Sequence, residues 1–320
     1  MFSEDELSKN AMGGTELMKY GLQDRADKDL LDDVQIVVGR ERELIHNVPK
    51  IYWAHNLADD PEDFKALGEG RWERYDKLVF VSYWQLHEFK RVYGFPYSKT
   101  QVLRNAIDPI EPIDNTDDTI RLIYTPTPHR GLDILLGVYE QLYQEFPNLH
   151  LDVFSSFKLY GWEERDKPFE KLFDFCRDHE GITYHGSQPN DVVREYVAKA
   201  DIFAYPSTWQ ETSCLTAIEA LSGGCICVTS NLAALPETLA NFGLMYGFDE
   251  DKKVHLQKFY SAMRIAITAV GTENMNRNLA FQKQYIDTFY NWDLRTREWN
   301  NFLRLTIAEF ERNGGTKITL

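Results

Sequence analysis

Short runs of β-branched and apolar residues recur along the chain, separated by stretches whose apolar positions fall three or four apart. In the first third, Val34–Val38, Lys50–Ala54, Lys77–Ser82 and Thr100–Leu103 predict strands, and Trp84–Tyr93 predicts a helix. The acidic stretch Asp108–Thr119, interrupted by Pro109 and Pro112, has neither period and predicts a linker. The alternation then resumes. Strands are expected at Ile120–Tyr124, Leu149–Phe154, Gly181–His185, Asp201–Tyr205 and Cys225–Ser230. Helices are expected at Leu132–Phe146, Asp191–Lys199 and Thr212–Leu221. Near-continuous apolar strands alternating with helices imply parallel sheets covered on both faces, an α/β chain. The expected architecture is two Rossmann-like domains facing a cleft, residues 1–115 and 116–284, with a helical tail at 285–320. The aromatic spacing from Tyr285 to Phe310 predicts one tail helix packed across both domains.

A length of 320 residues fits two domains, and 43% hydrophobic with 27% charged residues is a globular composition. The formal charge of −15 argues against a broad basic surface for nucleic acid or anionic lipid, while leaving room for a local basic pocket. No apolar run approaches the ~20 residues of a membrane span. The opening MFSEDELSKN lacks the basic-then-apolar layout of a signal peptide, so no transmembrane segment and a cytoplasmic location are expected. The four cysteines, Cys176, Cys214, Cys225 and Cys227, show no zinc spacing and read as buried thiols in a reducing compartment.

Candidate chemistry concentrates in Trp209–Ser230, WQETSCLTAIEALSGGCICVTS. Glu211 and Glu219 have seven residues between them, across a helix expected to begin near Thr212 or Ser213 and to stop at Gly223–Gly224. Glu211 then lies in the preceding loop. Glu219 falls within an apolar run and needs a hydrogen-bonding partner there. A sugar diol, an arginine, or a capping box with Thr216 would each serve. The acidic clusters Asp59–Asp60, Asp117–Asp118 and Asp249–Asp251 lack metal-ligand spacing and read as solvated loops, so no metal is expected. The G-x-S-x-G and Walker A patterns are absent.

This stretch resembles the E-x7-E motif of retaining GT-B glycosyltransferases, particularly glycosyltransferase family 4. The likeness continues through Glu219-Ala220, Gly223-Gly224, the strand CICVTS and Leu235-Pro236-Glu237. It implies that Glu211 touches the donor sugar, that Glu219 binds the ribose diol, and that the turn Ser213, Cys214 and Leu215 meets the diphosphate through backbone amides. Gly13 and Gly14 resemble the N-terminal glycine loop that approaches donor phosphates and acceptor. His55, after Ile51–Ala54, matches a histidine near the sugar. Asn105–Asp108 resembles the turn ending the first domain, with Ala106 in place of glycine. Of the two diphosphate cations usual in the family, Arg130 occupies the lysine position before Gly131, and Thr125 stands where arginine is usual. Lys158 is a possible helper.

The resemblance implies a retaining, metal-independent transferase using a nucleotide-sugar donor, UDP- or GDP-linked, with no further cofactor. The acceptor is open among glycan, lipid, protein, small molecule and modified nucleic acid. A nucleotide-sugar epimerase of GT-B fold and a non-catalytic nucleotide-sugar-binding protein are the alternatives.

Overall fold

A computed structural model describes residues 13–314; the acidic N-terminal segment and the residues after Gly314 lie outside the described range. The chain forms two compact units. The first holds Gly14–Ala106 and the chain from Tyr290 onward, the second Gly13 and Ile107–Phe289.

In the first unit, strands β1 (Gln35–Val38), β2 (Lys50–Trp53), β3 (Lys77–Phe80) and β4 (Thr100–Val102) pair in parallel, in chain order. Their apolar runs are buried. Around them lie α1 (Gly14–Arg25), α2 (Lys28–Asp32), α3 (Pro61–Leu67) and α4 (Tyr83–Tyr93). Helix α4 starts where Ser82 accepts from the Gln85 amide at 3.1 Å and stops at Gly94, whose φ is +74°. Tyr52, Phe80, Phe89 and Phe95 fill the core against α3 and α4.

A polar network is buried in the same core. Asp63 of α3 is 0% exposed. It accepts from the Tyr52 hydroxyl at 2.7 Å and from Asn56 Nδ2 at 2.8 Å. Asn56 also donates to the Gly39 carbonyl after β1, and its own carbonyl accepts from Gln85 Nε2. Gln85 in turn accepts from the Val81 amide after β3. The loops that follow β1, β2 and β3 are thereby tied together. Burial pushes the Asp63 carboxyl up to about 7, against the two hydrogen bonds it receives.

The second unit is a six-stranded parallel sheet of β5 (Ile120–Tyr124), β6 (Leu149–Val153), β7 (Ile182–Tyr184), β8 (Ile202–Tyr205), β9 (Ile226–Ser230) and β10 (Leu244–Tyr246). Its order is β10-β9-β8-β5-β6-β7, with every pair parallel. Read from β5, that is the doubly wound 3-2-1-4-5-6 pattern, which reverses direction between β5 and β8. The helices are α5 (Leu132–Glu145), α6 (Glu170–Asp178), α7 (Asn190–Val197), α8 (Leu215–Ser222), α9 (Leu235–Thr238), α10 (Lys252–Ala269) and α11 (Glu273–Phe289).

Three elements differ from the sequence expectation. Residues 108–119 are fastened within the second unit: the Ile110 amide donates to Ser222 Oγ and the Ile113 amide to the Ala198 carbonyl. Ile110, buried between the two prolines, and the backbone pairing of Ile110 and Ile113 hold a segment that its composition reads as free. The tail is two helices, α11 and α12 (Trp292–Arg312), because Asn291 Oδ1 accepts from the Leu294 amide at 2.7 Å and starts a new helix. Helix α12 belongs to the first unit. There Trp299 meets Trp53 edge-on at 4.8 Å, and Gly21 of α1 admits the Trp292 ring, which a Cβ would approach to 2.1 Å. Helix α8 begins at Leu215 with Cys214 as its N-cap, later than expected, because the chain through Thr212–Ser213 stays non-helical.

Candidate active site

The switch point between β5 and β8 places two loops side by side at the carboxyl ends of those strands, where open α/β sheets bind ligands. The loop after β5 carries Arg130, and the loop after β8 carries Trp209 and Glu211. Gly131 makes their approach possible. Its φ is +121°, and a Cβ there would lie 2.4 Å from the Pro206 carbonyl oxygen. The Thr208 amide donates to the Arg130 carbonyl, joining the two backbones.

Arg130 Nη1 donates to Glu211 Oε1 at 2.7 Å, and the Tyr205 hydroxyl donates to the same oxygen at 2.6 Å. Glu211 is 7% exposed, and its backbone carbonyl is fixed by the Ala234 amide. Burial opposes the charge on Arg130, but the Glu211 carboxylate outweighs it and holds the guanidinium above its ordinary range. Burial, then Glu211, pushes the Tyr205 phenol well up, so it remains a donor. The arginine also lies 5.6 Å from the Trp209 ring centre. Because Glu211 takes both bonds on Oε1, its other oxygen can meet a ligand.

His129, next to Arg130, stacks on Phe157 at 5.1 Å and meets Trp209 edge-on at 5.0 Å. Burial, then Arg130 and Arg165, lowers it to about 4, so it is neutral at physiological pH. The loop is clamped from below: Ser155 Oγ donates to the Pro126 carbonyl at 2.8 Å and Tyr124 to the Thr127 carbonyl at 3.0 Å.

Glu219 is 3% exposed on α8, and its partner is Arg194 of α7, whose Nη1 donates to Oε1 at 2.9 Å. Asn190 Nδ2 lies 3.3 and 3.4 Å from its two oxygens. Arg194 Nη2 also donates to the Asp108 and Pro109 carbonyls. An arginine partner is thus the arrangement present. A capping box from Thr216 is not, since Cys214 precedes the helix. Burial raises the Glu219 carboxyl, and Arg194 with Asn190 opposes that rise.

The structure therefore joins Arg130 to Glu211 and places Glu219 in a separate pair on the same unit. Ser213, Cys214 and Leu215 lead into α8 directly after Glu211, with Cys214 buried. Lys158 faces solvent and pairs with Glu163. His55 and Gly14 belong to the first unit. His55 lies just past β2, packed on Trp53 at 4.6 Å and lowered by burial to about 3. Gly14 opens α1, and Gly13 immediately before it is buried. Sequence reasoning missed Tyr205, Trp209, Arg194 and Asn190. Tyr205 ends an apolar strand and Trp209 follows it by four positions, a legible hint, whereas nothing in the sequence links Arg194 to Glu219.

No group of three or more His, Cys, Asp or Glu side chains among the described residues is arranged to hold a metal ion. Among the same residues, no helix is long and apolar enough to cross a membrane.

Residues 104–257 match the family model described as glycosyl transferases group 1. Human phosphatidylinositol N-acetylglucosaminyltransferase has a polypeptide that is 26% identical over 143 residues, which cover 43% of this chain and 28% of that protein's length. A glycosyltransferase from Rickettsia africae ESF-5 superposes with a TM-score of 0.70 at 13% identity, covering 95% of this chain and 84% of that one. Anabaena HepE in complex with UDP-glucose gives a TM-score of 0.62 at 16% identity, covering 82% and 72% of the two chains. The two parallel sheets give the chain the GT-B fold shared with these solved structures, and the family-model match falls almost wholly within the second unit.

Proposed function

We propose that this chain is a retaining glycosyltransferase of the family 4 type that takes a sugar from a UDP- or GDP-linked donor held by the second unit. The observation that carries the reading is the buried Arg130–Glu211 pair at the switch point between β5 and β8. In the proposed complex Arg130 meets the diphosphate. Glu211 occupies one of its five N–H groups, and its Nε has no partner in the protein. Glu211 accepts hydroxyl protons of the sugar through its second oxygen. The Ser213–Leu215 turn supplies backbone amides to the phosphates, and Glu219 takes the ribose diol beside Arg194. Gly13, Gly14 and His55 serve the acceptor side.

Retention follows if the acceptor hydroxyl attacks from the face the diphosphate leaves. The C–O bond to the diphosphate breaks as the new glycosidic bond forms, and the acceptor proton passes to the departing phosphate oxygen. Charge then grows on that oxygen, where a preorganised guanidinium stabilises the transition state more than the ground state. The reading includes no metal. UDP is favoured because the similar HepE structure holds UDP-glucose. Four free, buried cysteines support a reducing, cytoplasmic setting.

The test is turnover of radiolabelled UDP- and GDP-sugars with a panel of hydroxyl acceptors, with the anomeric configuration of the product read by NMR. Transfer with retention is expected. Interconversion of the donor sugar without transfer, or tight donor binding without turnover, would contradict the proposal.

A further inference from the structure

The loop after β5 holds one permanent cation, and that cation is already neutralised by Glu211. The same loop carries four buried side-chain atoms with no hydrogen-bond partner in the protein: Thr125 Oγ1, Thr127 Oγ1, His129 Nδ1 and Arg130 Nε. A buried polar atom left without a partner forfeits its hydration with nothing in return, so four within six residues is a costly arrangement for a loop with no ligand. The loop cannot relax to satisfy them. Ser155 and Tyr124 hold its carbonyls, Gly131 is pressed against Pro206, and the His129 ring is fixed between Phe157 and Trp209. Trp209, which meets His129 edge-on, is 38% exposed, so this side of the enclosure borders solvent.

We infer that Thr125, Thr127 and His129 form a hydrogen-bond donor set that binds phosphate oxygens of the nucleotide, in place of a second cation. The inference rests on the reading of this unit as the nucleotide-sugar site. Two hydroxyls and an Nδ1–H each satisfy a phosphate oxygen by hydrogen bonding, whereas their number, not their charge, replaces the attraction of a guanidinium. In the free protein, burial, then Arg130 and Arg165, lowers His129 to about 4.

The discriminating property is the combination of stability and affinity. Removing an orphaned hydroxyl by an isosteric change relieves the free protein and deprives the ligand. A structural threonine would behave in the opposite way. Calorimetry with UDP, GDP and ADP on the full chain, beside thermal melts, separates the two. For whichever nucleotide binds the natural protein, Thr127→Val and Thr125→Val should each weaken binding at least threefold, with Tm unchanged or raised. His129→Phe keeps the ring stacking and should weaken binding about tenfold, and His129→Asn, which restores an amide N–H near Nδ1, should recover part of that loss. Affinity should fall with added salt as steeply in these variants as in the natural protein, because no charge has been removed; Arg130→Ala should show a shallower slope. Valine and phenylalanine variants that bind within twofold of the natural protein, or that lose Tm in step with affinity, would overturn the inference. If none of the three nucleotides binds the natural protein, the nucleotide-site reading itself fails.

Discussion

Asp63 offers a sharp test of how the first unit is held together. Its carboxyl sits among Tyr52, Asn56, Tyr75 and Tyr93, with Asp60 and Glu62 the nearest charges and both of its own sign. Burial is the largest cause of its rise from 3.8 to about 7, and the bonds from Asn56 and Tyr52 only partly oppose it. The folded protein therefore holds this proton more tightly than the unfolded chain. The resulting stabilisation is fully present below pH 4 and is lost as pH rises through about 7. At ~1.4 kcal/mol per tenfold change in proton affinity, the whole loss is roughly 4 kcal/mol. Asp63→Asn cannot ionise, and its single carbonyl oxygen keeps only one of the two bonds, a pH-independent cost of about 1 kcal/mol. The variant should be slightly less stable than the natural protein at pH 4, equal to it at about pH 4.5, and more stable by roughly 3 kcal/mol at pH 8. Urea unfolding followed by tryptophan fluorescence is a suitable assay, because Trp53, Trp72, Trp84, Trp292 and Trp299 all lie in the first unit. A difference between the two proteins that stays flat from pH 4.5 to 8 would refute the reasoning.

Three further outcomes are expected. Glu219→Gln should lower UDP affinity by about tenfold, the loss of a charge-assisted hydrogen bond, whereas Glu211→Gln should leave it within threefold and reduce kcat by ~10²; calorimetry beside steady-state kinetics tests the split, and equal UDP affinity for Glu219→Gln and the natural protein would contradict it. Gly131→Ala should destabilise the second unit by ~1–3 kcal/mol, since alanine disfavours φ +121° and its Cβ meets the Pro206 carbonyl, and an unchanged unfolding midpoint would count against that packing. Turnover should survive EDTA; a loss restored by magnesium or manganese would show that a metal takes part.

The sheets were legible because their apolar runs are nearly continuous, as strands covered on both faces must be. Ile120–Tyr124 is a strand from its first residue to its last, and Leu132–Phe146 differs from the observed helix by one position. Local polar chemistry was less legible. Asn291 looks like any exposed asparagine until its side chain is seen capping a helix, so the tail reads as one element where two exist. Asp63 sits in the acidic run PED at the start of α3, where solvated charge is the natural expectation, and only the turn of the helix brings it inward. The spacing of Glu211 and Glu219 marks both residues but not what each one meets. Those partners, Arg130 81 positions away and Arg194 25 positions away, are set by the order of strands in the sheet. His129 and Thr127 carried no motif, and their significance lies in bonds they do not make.

The central claim is that Arg130, at the switch point beside Glu211, stabilises a departing diphosphate. The most direct measurement is kcat/KM for sugar transfer by Arg130→Ala and Arg130→Lys, using one donor that the natural protein turns over. Loss of such a donor to developing charge commonly lowers the rate ~10²–10³-fold, and that is the effect predicted for alanine. Lysine should recover only part of it, because a point charge cannot hold Glu211 and span two phosphate oxygens as a planar guanidinium does. An Arg130→Ala protein within threefold of the natural one would contradict the account and place the diphosphate elsewhere.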